Sequence, residues 1–437
     1  MKNTFILFSI LLITTNLFSQ SFEWAAGMGG AGNDHGRFIT VDAAGNVYTV
    51  GVFEFTVDFD PGPGVYELTS NGVTDIFISK LDSSGNFVWA KSIGNSLANS
   101  ATSLELDTNG DLLLTGGYMG TIDFDPGAGV YNLVSNISGG CFIVKLDSSG
   151  NFVWAKSMDG STALYGNCIE TDANRNIYIS GYFGGTVDFD PGPNVYNLTE
   201  CGGGDMFIAK LDSLGNFIWA KNVGGGDAEH PSSMVLDTVG NIYITGDFFG
   251  NTDFDPGPGV LVLPWNGWFE IFISKFDNSG NIVWAKSMGG TDADQGLSID
   301  VDVAGNVFFA GYFSSDTVDF DPGPNVFNLV LNGPENVFVS KFDATGNFVW
   351  AKNMGNVSMS PGISLQLDND ANIYNVGAFQ DTLDFDFCNG TYSLISNGGN
   401  DIFVSKLDSS GNFVWARNMG GSSAWPSDAG YALTLDP

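Results

Sequence analysis

Short apolar runs separated by polar turns recur along nearly the whole chain. Residues 103–107 and 111–115 form one pair of such runs, and residues 75–82 and 86–91 form another. The runs are rich in Ile, Val, Phe, Tyr and Trp and are bounded by Asp, Ser, Asn and Gly, which is typical of β-strands joined in hairpins. This pattern predicts an all-β protein.

The turns between paired runs read Asp-x-x-Gly-Asn. We expect the Asp carboxylate to cap the turn and the Gly to take the left-handed conformation. Two turns depart from this, because Arg175 and Ala371 occupy the Gly position. We expect Asn174 or Asn176 to absorb the positive φ in the first of them. For Ala371 we expect some local strain.

The hairpins repeat with a period of 65 residues and one interval of 66, marked by a tryptophan in each copy: Trp24, Trp89, Trp154, Trp219, Trp284, Trp350 and Trp415. Each repeat supplies two hairpins, hence four strands, A to D. The middle strands are apolar on both faces, which suits a sheet packed between two neighbours. Together these features predict a β-propeller of four-stranded antiparallel blades, with the tryptophans packed between adjacent blades. A parallel β-helix is the alternative, but its coils are much shorter than 65 residues.

The blade count is uneven. Six blades are complete over residues 37–418, and a D strand at residues 22–30 and an A strand at residues 431–436 share a partial seventh. We expect a reading frame truncated inside that seventh blade. The alternative is a genuine six-bladed ring with two loose strands.

The N-terminus has the features of a secretory signal peptide. Lys2 is followed by an apolar run over residues 5–13, and polar residues 14–16 end it, so the run is too short to span a bilayer. We therefore assign residues 1–20 to a signal peptide and residues 21–437 to the propeller. No later segment has the length of a membrane-spanning helix, so we expect a secreted or cell-surface protein that is monomeric.

Charge and the reactive residue types narrow the function. The 49 acidic and 15 basic residues give a net charge of −34, which argues against nucleic acid or anionic membrane as a partner. The four cysteines fall at unrelated places in the repeat, so at most one incidental disulfide is expected. Both histidines, His35 and His230, lie in predicted loops. The usual residues for hydrolytic or thiol chemistry are therefore missing.

The repeat resembles a known bacterial repeat class. Residues 42–51 read Asp-x-x-Gly-Asn-x-Tyr-x-x-Gly, and residues 75–89 read Asp-x-Phe-x-x-Lys-Leu-Asp-x-x-Gly-Asn-x-x-Trp. Both resemble the SBBP repeat, named for seven-bladed β-propellers, and the likeness covers nearly all of residues 22–437. It implies an exported or surface protein of the Bacteroidota type. Such proteins often end in a type IX secretion sorting domain, which is not found in this sequence. The resemblance implies no catalytic residues.

A second resemblance concerns the C–D hairpin alone. Its Leu-Asp-x-x-Gly-x-x-x-Trp pattern is similar to the tryptophan-docking motif of quinoprotein dehydrogenases. In those enzymes the motif is structural. The resemblance therefore supports the fold and not the chemistry.

An Asp-Phe-Asp motif, followed by Pro-Gly in five of six copies, lies between strands B and C. In an extended chain the two Asp share one face, so the Phe points into the blade. The paired carboxylates suit a hard cation, and we predict Ca²⁺ sites that stiffen these loops. The alternative is that the carboxylates cap the Pro-Gly turn. The predicted ligands are Asp58, Asp60, Asp123, Asp125, Asp188, Asp190, Asp253, Asp255, Asp319, Asp321, Asp384 and Asp386.

The D-to-A connections vary from repeat to repeat, and variable loops on a regular scaffold are where binding usually occurs. In a propeller they emerge on the same rim as the B-to-C loops. The candidate rim-binding residues are Asp34, His35, Asp227, His230, Asp292 and Asp294. The alternative is that they are ordinary polar loop residues.

These observations favour a non-catalytic exported propeller that acts as a surface interaction or structural module, with a protein or a glycan as partner. The aromatic residues follow strand periodicity, so we interpret them as core rather than as a carbohydrate platform. Two enzyme hypotheses remain open. One is a lyase or glycan-processing enzyme that uses rim carboxylates, and the other is a quinoprotein-like oxidoreductase.

Overall fold

The computed structural model describes residues 22–135, 139–225, 227–357, 363–387, 390–422 and 428–436. Every regular element in these ranges is a β-strand. The all-β prediction is therefore confirmed. The predicted signal peptide lies outside the described residues.

Six antiparallel sheets follow one another along the chain, and each has four strands in the order A-B-C-D. The second and third sheets are extended by short strands that lie between strands B and C of the next repeat. The predicted antiparallel pairing of the two hairpins in each repeat is found, but each repeat also has one or two short strands between B and C that the sequence did not predict. In chain order the strands of sheets 1 to 3 are His35–Val41, Val47–Phe53, Asp75–Leu81, Phe87–Ile93; Ser100–Leu106, Leu112–Tyr118, Gly140–Leu146, Phe152–Gly160; and Leu164–Thr171, Ile177–Phe183, Asp205–Leu211, Phe217–Gly225. Those of sheets 4 to 6 are Glu229–Leu236, Ile242–Phe248, Glu270–Phe276, Ile282–Met288; Asp294–Val301, Val307–Phe313, Glu335–Phe342, Phe348–Val357; and Ser364–Leu367, Ile373–Phe379, Asp401–Leu407, Phe413–Met419.

The turns close as the Asp-x-x-Gly-Asn pattern predicts. In the C–D turn of sheet 1, Asp82 Oδ1 accepts the backbone N–H groups of Ser84 and Asn86 at 2.9 Å each. Gly85 has a φ of 79°. The expectation for Arg175 was wrong, because Arg175 itself takes the positive φ, at 63°. The Arg175 N–H bonds to the Asp172 carbonyl at 2.7 Å, and this bond fixes the left-handed position on Arg175 whatever its neighbours are.

A short hairpin lies between strands B and C in five sheets. Its strands are Thr56–Asp58 with Glu67–Thr69, Thr121–Asp123 with Asn132–Val134, Thr186–Asp188 with Asn197–Thr199, Thr317–Asp319 with Asn328–Val330, and Thr382–Asp384 with Ser393–Ile395. Sheet 4 differs. Its Thr252–Asp253 strand has only an isolated bridge, from Asp253 to Val262, where the other sheets have a second strand.

Neighbouring sheets pack through the repeated tryptophan. Six of the seven repeated indoles lie against the glycine of the next C–D turn along the chain, as Trp89 does against Gly150 and Trp219 against Gly280. A Cβ atom added to Gly280 would come within 2.9 Å of the Trp219 ring. The tryptophans therefore pack between adjacent sheets, as predicted.

The A strands of successive sheets are joined by side-chain hydrogen bonds. The Ile169 N–H donates to Ser103 Oγ at 3.3 Å, and the Leu365 N–H donates to Ser298 Oγ at 2.9 Å. The A strands of all six sheets, together with residues 431–434, line one cavity of about 240 Å³. The A strands therefore form a continuous inner layer.

The two terminal segments occupy positions equivalent to those of repeated strands. Gly29 pairs with Asp58, as the end of a D strand does with the next B–C hairpin, and Trp24 packs on Gly85. The Leu433 N–H donates to Ser364 Oγ at 3.3 Å. In the N-terminal segment only Gly29–Gly30 is assigned as a strand, so this D strand is shorter than predicted. Residues 431–436 are assigned no strand, although an A strand was predicted there.

Candidate functional site

The D–A and B–C loops meet at one end of the strands. Asp34, in the loop before sheet 1, accepts the backbone N–H of Glu54, in the following B–C loop, at 3.2 Å. Asp294 accepts the hydroxyl of Ser315 at 2.8 Å in the same way. We call the surface formed by these two sets of loops the rim. The prediction that both loop sets share it is confirmed.

The six predicted rim residues lie in three separate places. Asp34 and His35 belong to sheet 1, Asp227 and His230 to sheet 4, and Asp292 and Asp294 to sheet 5. Asp294 is fully buried and Asp292 is exposed. The structure therefore does not bring them together as one cluster.

Asp34 and Asp294 cap loops. The Gly30 N–H donates to Asp34 Oδ2 at 2.7 Å, and the Gly290 N–H donates to Asp294 Oδ2 at 2.8 Å. Burial raises the pKa of Asp294, against its hydrogen bonds from Ser315 and from the loop. Their role in the structure is to hold the loops that form the rim.

His230 is the most organised of the six. Its Nδ1 lies 3.0 Å from Asp247 Oδ2, and the Asp247 side chain is nearly buried. The hydrogen bond to Asp247 raises the pKa of His230, while burial acts against that shift. Burial raises the pKa of Asp247. The buried carboxyl therefore fixes the position of the imidazole, which also contacts the rings of Tyr182 and Phe269.

A cleft of about 530 Å³ opens on the rim between sheets 1, 2 and 3. His35 and Arg37 line it on one side, and Tyr118 and Tyr165 contribute aromatic walls. Twelve of the 15 basic residues keep the repeat register, whereas Arg37 does not. The size of the cleft and its mixed polar and aromatic lining suit a small ligand or a side chain of a partner.

A second group on the rim is aromatic and centres on sheet 4. Where sheet 4 lacks the second hairpin strand, the loop reads Pro-Trp-Asn-Gly-Trp-Phe over residues 264–269. Its rings join four others, which come from strands A and B of sheet 3, from strand A of sheet 4 and from the residue after strand B of sheet 4. The full group is Tyr165, Tyr182, His230, Phe249, Trp265, Trp268 and Phe269, and we call it the aromatic row.

The Asp-Phe-Asp loops are closed by their own carboxylates. Asp58 Oδ1 accepts the N–H groups of Asp60 and Tyr66 at 3.1 and 2.8 Å, and Asp60 Oδ1 accepts that of Gly62 at 2.8 Å. The central Phe59 is buried, as predicted. In the described part of the chain, no group of three or more His, Cys, Asp or Glu residues has the arrangement of a metal site.

Three acidic side chains face the cavity inside the A strands. Enclosure raises the pKa of Glu105 to about 8 and that of Asp300 to about 6. Burial and the charges of Glu105 and Asp300 raise the pKa of Glu170 well above its usual range. The cavity therefore disfavours further negative charge.

Among the described cysteines, Cys141, Cys168 and Cys201 are free thiols, so the incidental disulfide is not formed between them. Cys388 lies outside the described residues. Burial raises the pKa of Cys141 to about 11, so this thiol is not activated as a nucleophile.

No protein-family model matches this chain. It is similar to an uncharacterised WD repeat-containing protein of Acanthamoeba polyphaga mimivirus, with 24% identity over 90% of this chain and 34% of that protein. Regulatory protein FlaEY of Caulobacter vibrioides is 26% identical over 51% of this chain and 24% of its own length. The chain thus spans about a third of the first relative and about a quarter of the second.

Two solved structures also match in part. Sqt1 from Chaetomium thermophilum has a TM-score of 0.35 at 10% identity, covering 89% of this chain and 85% of that one. A protein of unknown function from Bacteroides caccae has a TM-score of 0.27 at 9% identity, covering 63% and 89%. These scores are too low to carry an argument about the fold. The chain is a β-repeat protein with repeat-protein relatives.

Within the residues that the structure describes, no helix has the length and hydropathy needed to cross a membrane.

Sequence reasoning missed the aromatic row, although the sequence held a signal for it. Trp265 and Trp268 are out of register with the seven repeated tryptophans, and residues 264–269 replace the Asn- and Gly-rich stretch found in the other repeats. Glu105, Glu170 and Asp300 were also missed. They share one repeat position, which is Thr40 in sheet 1 and Val235 in sheet 4.

Proposed function

We propose that the six sheets are the blades of a β-propeller that acts as a non-catalytic interaction module, and that its rim binds the partner. One observation carries the proposal. The repeat is kept at packing positions, such as the mostly half-buried tryptophan and the buried Asp-Phe-Asp phenylalanine, and is broken on the rim. On the rim, one repeat position at the start of strand A carries a different residue in most sheets. In sheets 1 to 5 it is His35, Ser100, Tyr165, His230 and Gln295.

The inner layer supports the radial arrangement. From sheet 2 to sheet 6 each A strand bonds to the next one along the chain, as Ile169 does to Ser103 and Ile299 to Ser233. The cavity that these strands line is then the central channel. Residues 431–434 line the same cavity as Phe38 and Thr40 of sheet 1, so the terminal segments suit a shared seventh blade that closes the ring.

Three further properties belong to the proposal. The SBBP-like repeat supports export to the cell surface or beyond it, in a protein of the Bacteroidota type. The high net negative charge suits a soluble monomer outside the cell. We also propose that Ca²⁺ stabilises the Asp-Phe-Asp loops, since their carboxylates are concentrated in short, glycine-rich turns.

Site-specific crosslinking tests the rim as the binding face. A photoreactive amino acid replaces Ser100, which lines the rim cleft, or Ser149, which is exposed in a C–D turn at the opposite end of the strands. We expect a discrete crosslinked partner from position 100 only. Equal crosslinking from both positions, or from neither, would contradict the proposal.

A further inference from the structure

The aromatic row is continuous from sheet 3 to the loop of sheet 4. Tyr165 stacks on Tyr182 with centroids 5.2 Å apart, and Tyr182 meets His230 edge-on at 5.6 Å. His230 lies 5.7 Å from Phe269, which in turn lies 5.9 Å from Phe249. The row therefore runs across the interface between two sheets.

The far end of the row is formed by two tryptophans. Trp265 lies 5.1 Å from Phe249, and Trp268 lies 6.0 Å from Phe249 and 6.2 Å from Phe269. The Trp265 Nε1–H donates to the Trp268 carbonyl at 2.8 Å, which holds the loop in shape. A loop fixed in this way loses little conformational entropy when it binds.

The fold does not require these rings. Glu54, Met119 and Gly184 stand in sheets 1 to 3 where Phe249 stands in sheet 4, and Thr74 and Gly204 stand where Phe269 does. The other sheets form the same four strands without the row. The row is therefore an addition to the scaffold rather than part of its core.

One ring of the row is open to solvent. The Trp268 side chain is 59% exposed. The plane of the Trp268 indole is at 69° to that of Phe249 and at 89° to that of Phe269. Both neighbours therefore meet the indole edge to face and do not cover it as a stacked ring would. An exposed indole of this kind is costly in water and is typical of an interface anchor.

The surroundings of the row are acidic. The described D–A and B–C loops of sheets 3 and 4 contain no Lys or Arg. The Asp227 carboxylate packs against Gly250, next to Phe249, and Asp292 is exposed at the neighbouring loop. The molecule as a whole carries a net charge of −34. Its field attracts cations to an aromatic surface that can stack on them.

We propose that the aromatic row binds a basic segment of a partner protein, with Arg or Lys side chains stacked on Trp268 and its neighbours. This rests on the proposed function and names the partner's chemistry. A guanidinium gains both a flat ring face and a nearby carboxylate at such a site. A neutral glycan would gain only the ring faces, and an anionic ligand would be repelled.

The test uses a synthetic ten-residue peptide that alternates Arg and Gly, with Glu-Gly and Gln-Gly peptides of equal length and a neutral hexasaccharide as comparisons. Binding is measured by calorimetry and by tryptophan fluorescence. We expect the Arg-Gly peptide alone to bind. Trp268→Ala weakens it about tenfold or more, as the loss of an anchor residue does. High salt weakens it too, because screening removes the attraction.

Phe55→Ala is the matched control. Phe55 is 64% exposed and lies on the same rim in sheet 1, outside the row. We expect its affinity for the Arg-Gly peptide to stay within about twofold of the parent protein. Melting temperature verifies that both variants are folded. Peptide binding is measured with the full-length parent protein and with full-length versions of both variants.

Equal binding of the Arg-Gly peptide to Trp268→Ala and to the parent protein would overturn the proposal, since the attraction would then be unspecific. Absence of peptide binding would also overturn it. So would a hexasaccharide that binds and is lost with Trp268. In each case crosslinking from position 100 still decides the proposed function independently.

Discussion

Each hairpin turn is organised by one carboxylate, and this determines where the backbone must be left-handed. Hydrogen bonds from Asn347 and Thr345 outweigh the effect of burial and lower the pKa of Asp343 to about 2. The residue three places after the Asp then donates to the Asp carbonyl, as Gly346 does to Asp343. That residue takes a positive φ in every such turn, whether or not it is glycine.

Ala371 pays for this geometry with a φ of 58°. We expect Ala371→Gly to raise the free energy of unfolding by about 1 kcal/mol, because a left-handed residue with a Cβ is strained by roughly that amount. Chemical denaturation measures the change. Ala304→Gly, in the equivalent turn of sheet 5 but outside the positive-φ position, should lower stability instead. A loss of stability in Ala371→Gly would contradict the strain.

His230 provides a residue-scale test on the rim. Because Asp247 raises its pKa, the stability of the pair is present at low pH and is lost as the pH rises through the pKa of the folded state. We expect Asp247→Asn to lower the pKa of His230. Nuclear magnetic resonance can follow both histidines in one sample, with His35→Gln used for assignment. A His230 pKa that does not respond would show that Asp247 is not its partner.

At the scale of the element, the strands and turns were predictable and the unlike loops were not. Alternation and turn residues fix a hairpin locally, so the two hairpins of each repeat could be derived from the sequence. The loop at residues 264–269 has no such periodicity. Its rings form a continuous row only through contacts with Phe249 and His230, which lie elsewhere in the sequence. The histidine–aspartate pair was unpredictable for the same reason, since Asp247 reads as a strand residue.

The packing of tryptophan on glycine can be separated from backbone strain. Gly280 and Gly110 have similar φ values of 76° and 79°, but only Gly280 faces an indole, that of Trp219. We expect Gly280→Ala to destabilise the protein by about 1–3 kcal/mol more than Gly110→Ala, because overpacking adds to an equal strain. Thermal unfolding compares the two. Equal losses would mean that the indole yields without cost.

At the scale of the whole molecule, buried carboxyl groups oppose high pH. Burial raises the pKa of Glu229 to about 9 and that of Glu270 to about 7, so both favour the protonated form in the folded state. Their contribution is complete below the pKa of a glutamate in the unfolded chain and is lost as the pH rises through these higher values. The folded state should therefore be more stable in mild acid than in mild base.

We expect the melting temperature to fall between about pH 5.5 and about pH 9, and Glu229→Gln to flatten that fall. Glu67→Gln is the control, because Glu67 is exposed in a short hairpin strand. It should keep the slope of the parent protein. A melting temperature that rises over this range would contradict the burial of these acids.

Calcium binding by the Asp-Phe-Asp loops is tested on the whole chain. Binding to the folded state alone should raise the melting temperature by a few degrees at millimolar Ca²⁺, and EDTA should reverse it. Asp58→Asn and Asp60→Asn together should reduce the response. An unchanged melting temperature would rule out calcium and leave the carboxylates with the turn-capping role seen in their hydrogen bonds.

The interfaces between neighbouring sheets are nearly interchangeable. Each is made by one indole against one glycine turn, and those from sheet 2 to sheet 6 also have hydrogen bonds between inner strands. Packing between adjacent sheets thus does not distinguish one repeat from another, and only the covalent connection along the chain fixes their order. A gene could therefore gain, lose or recombine whole units without new packing solutions. Such a lineage is free to diversify its surface one loop at a time.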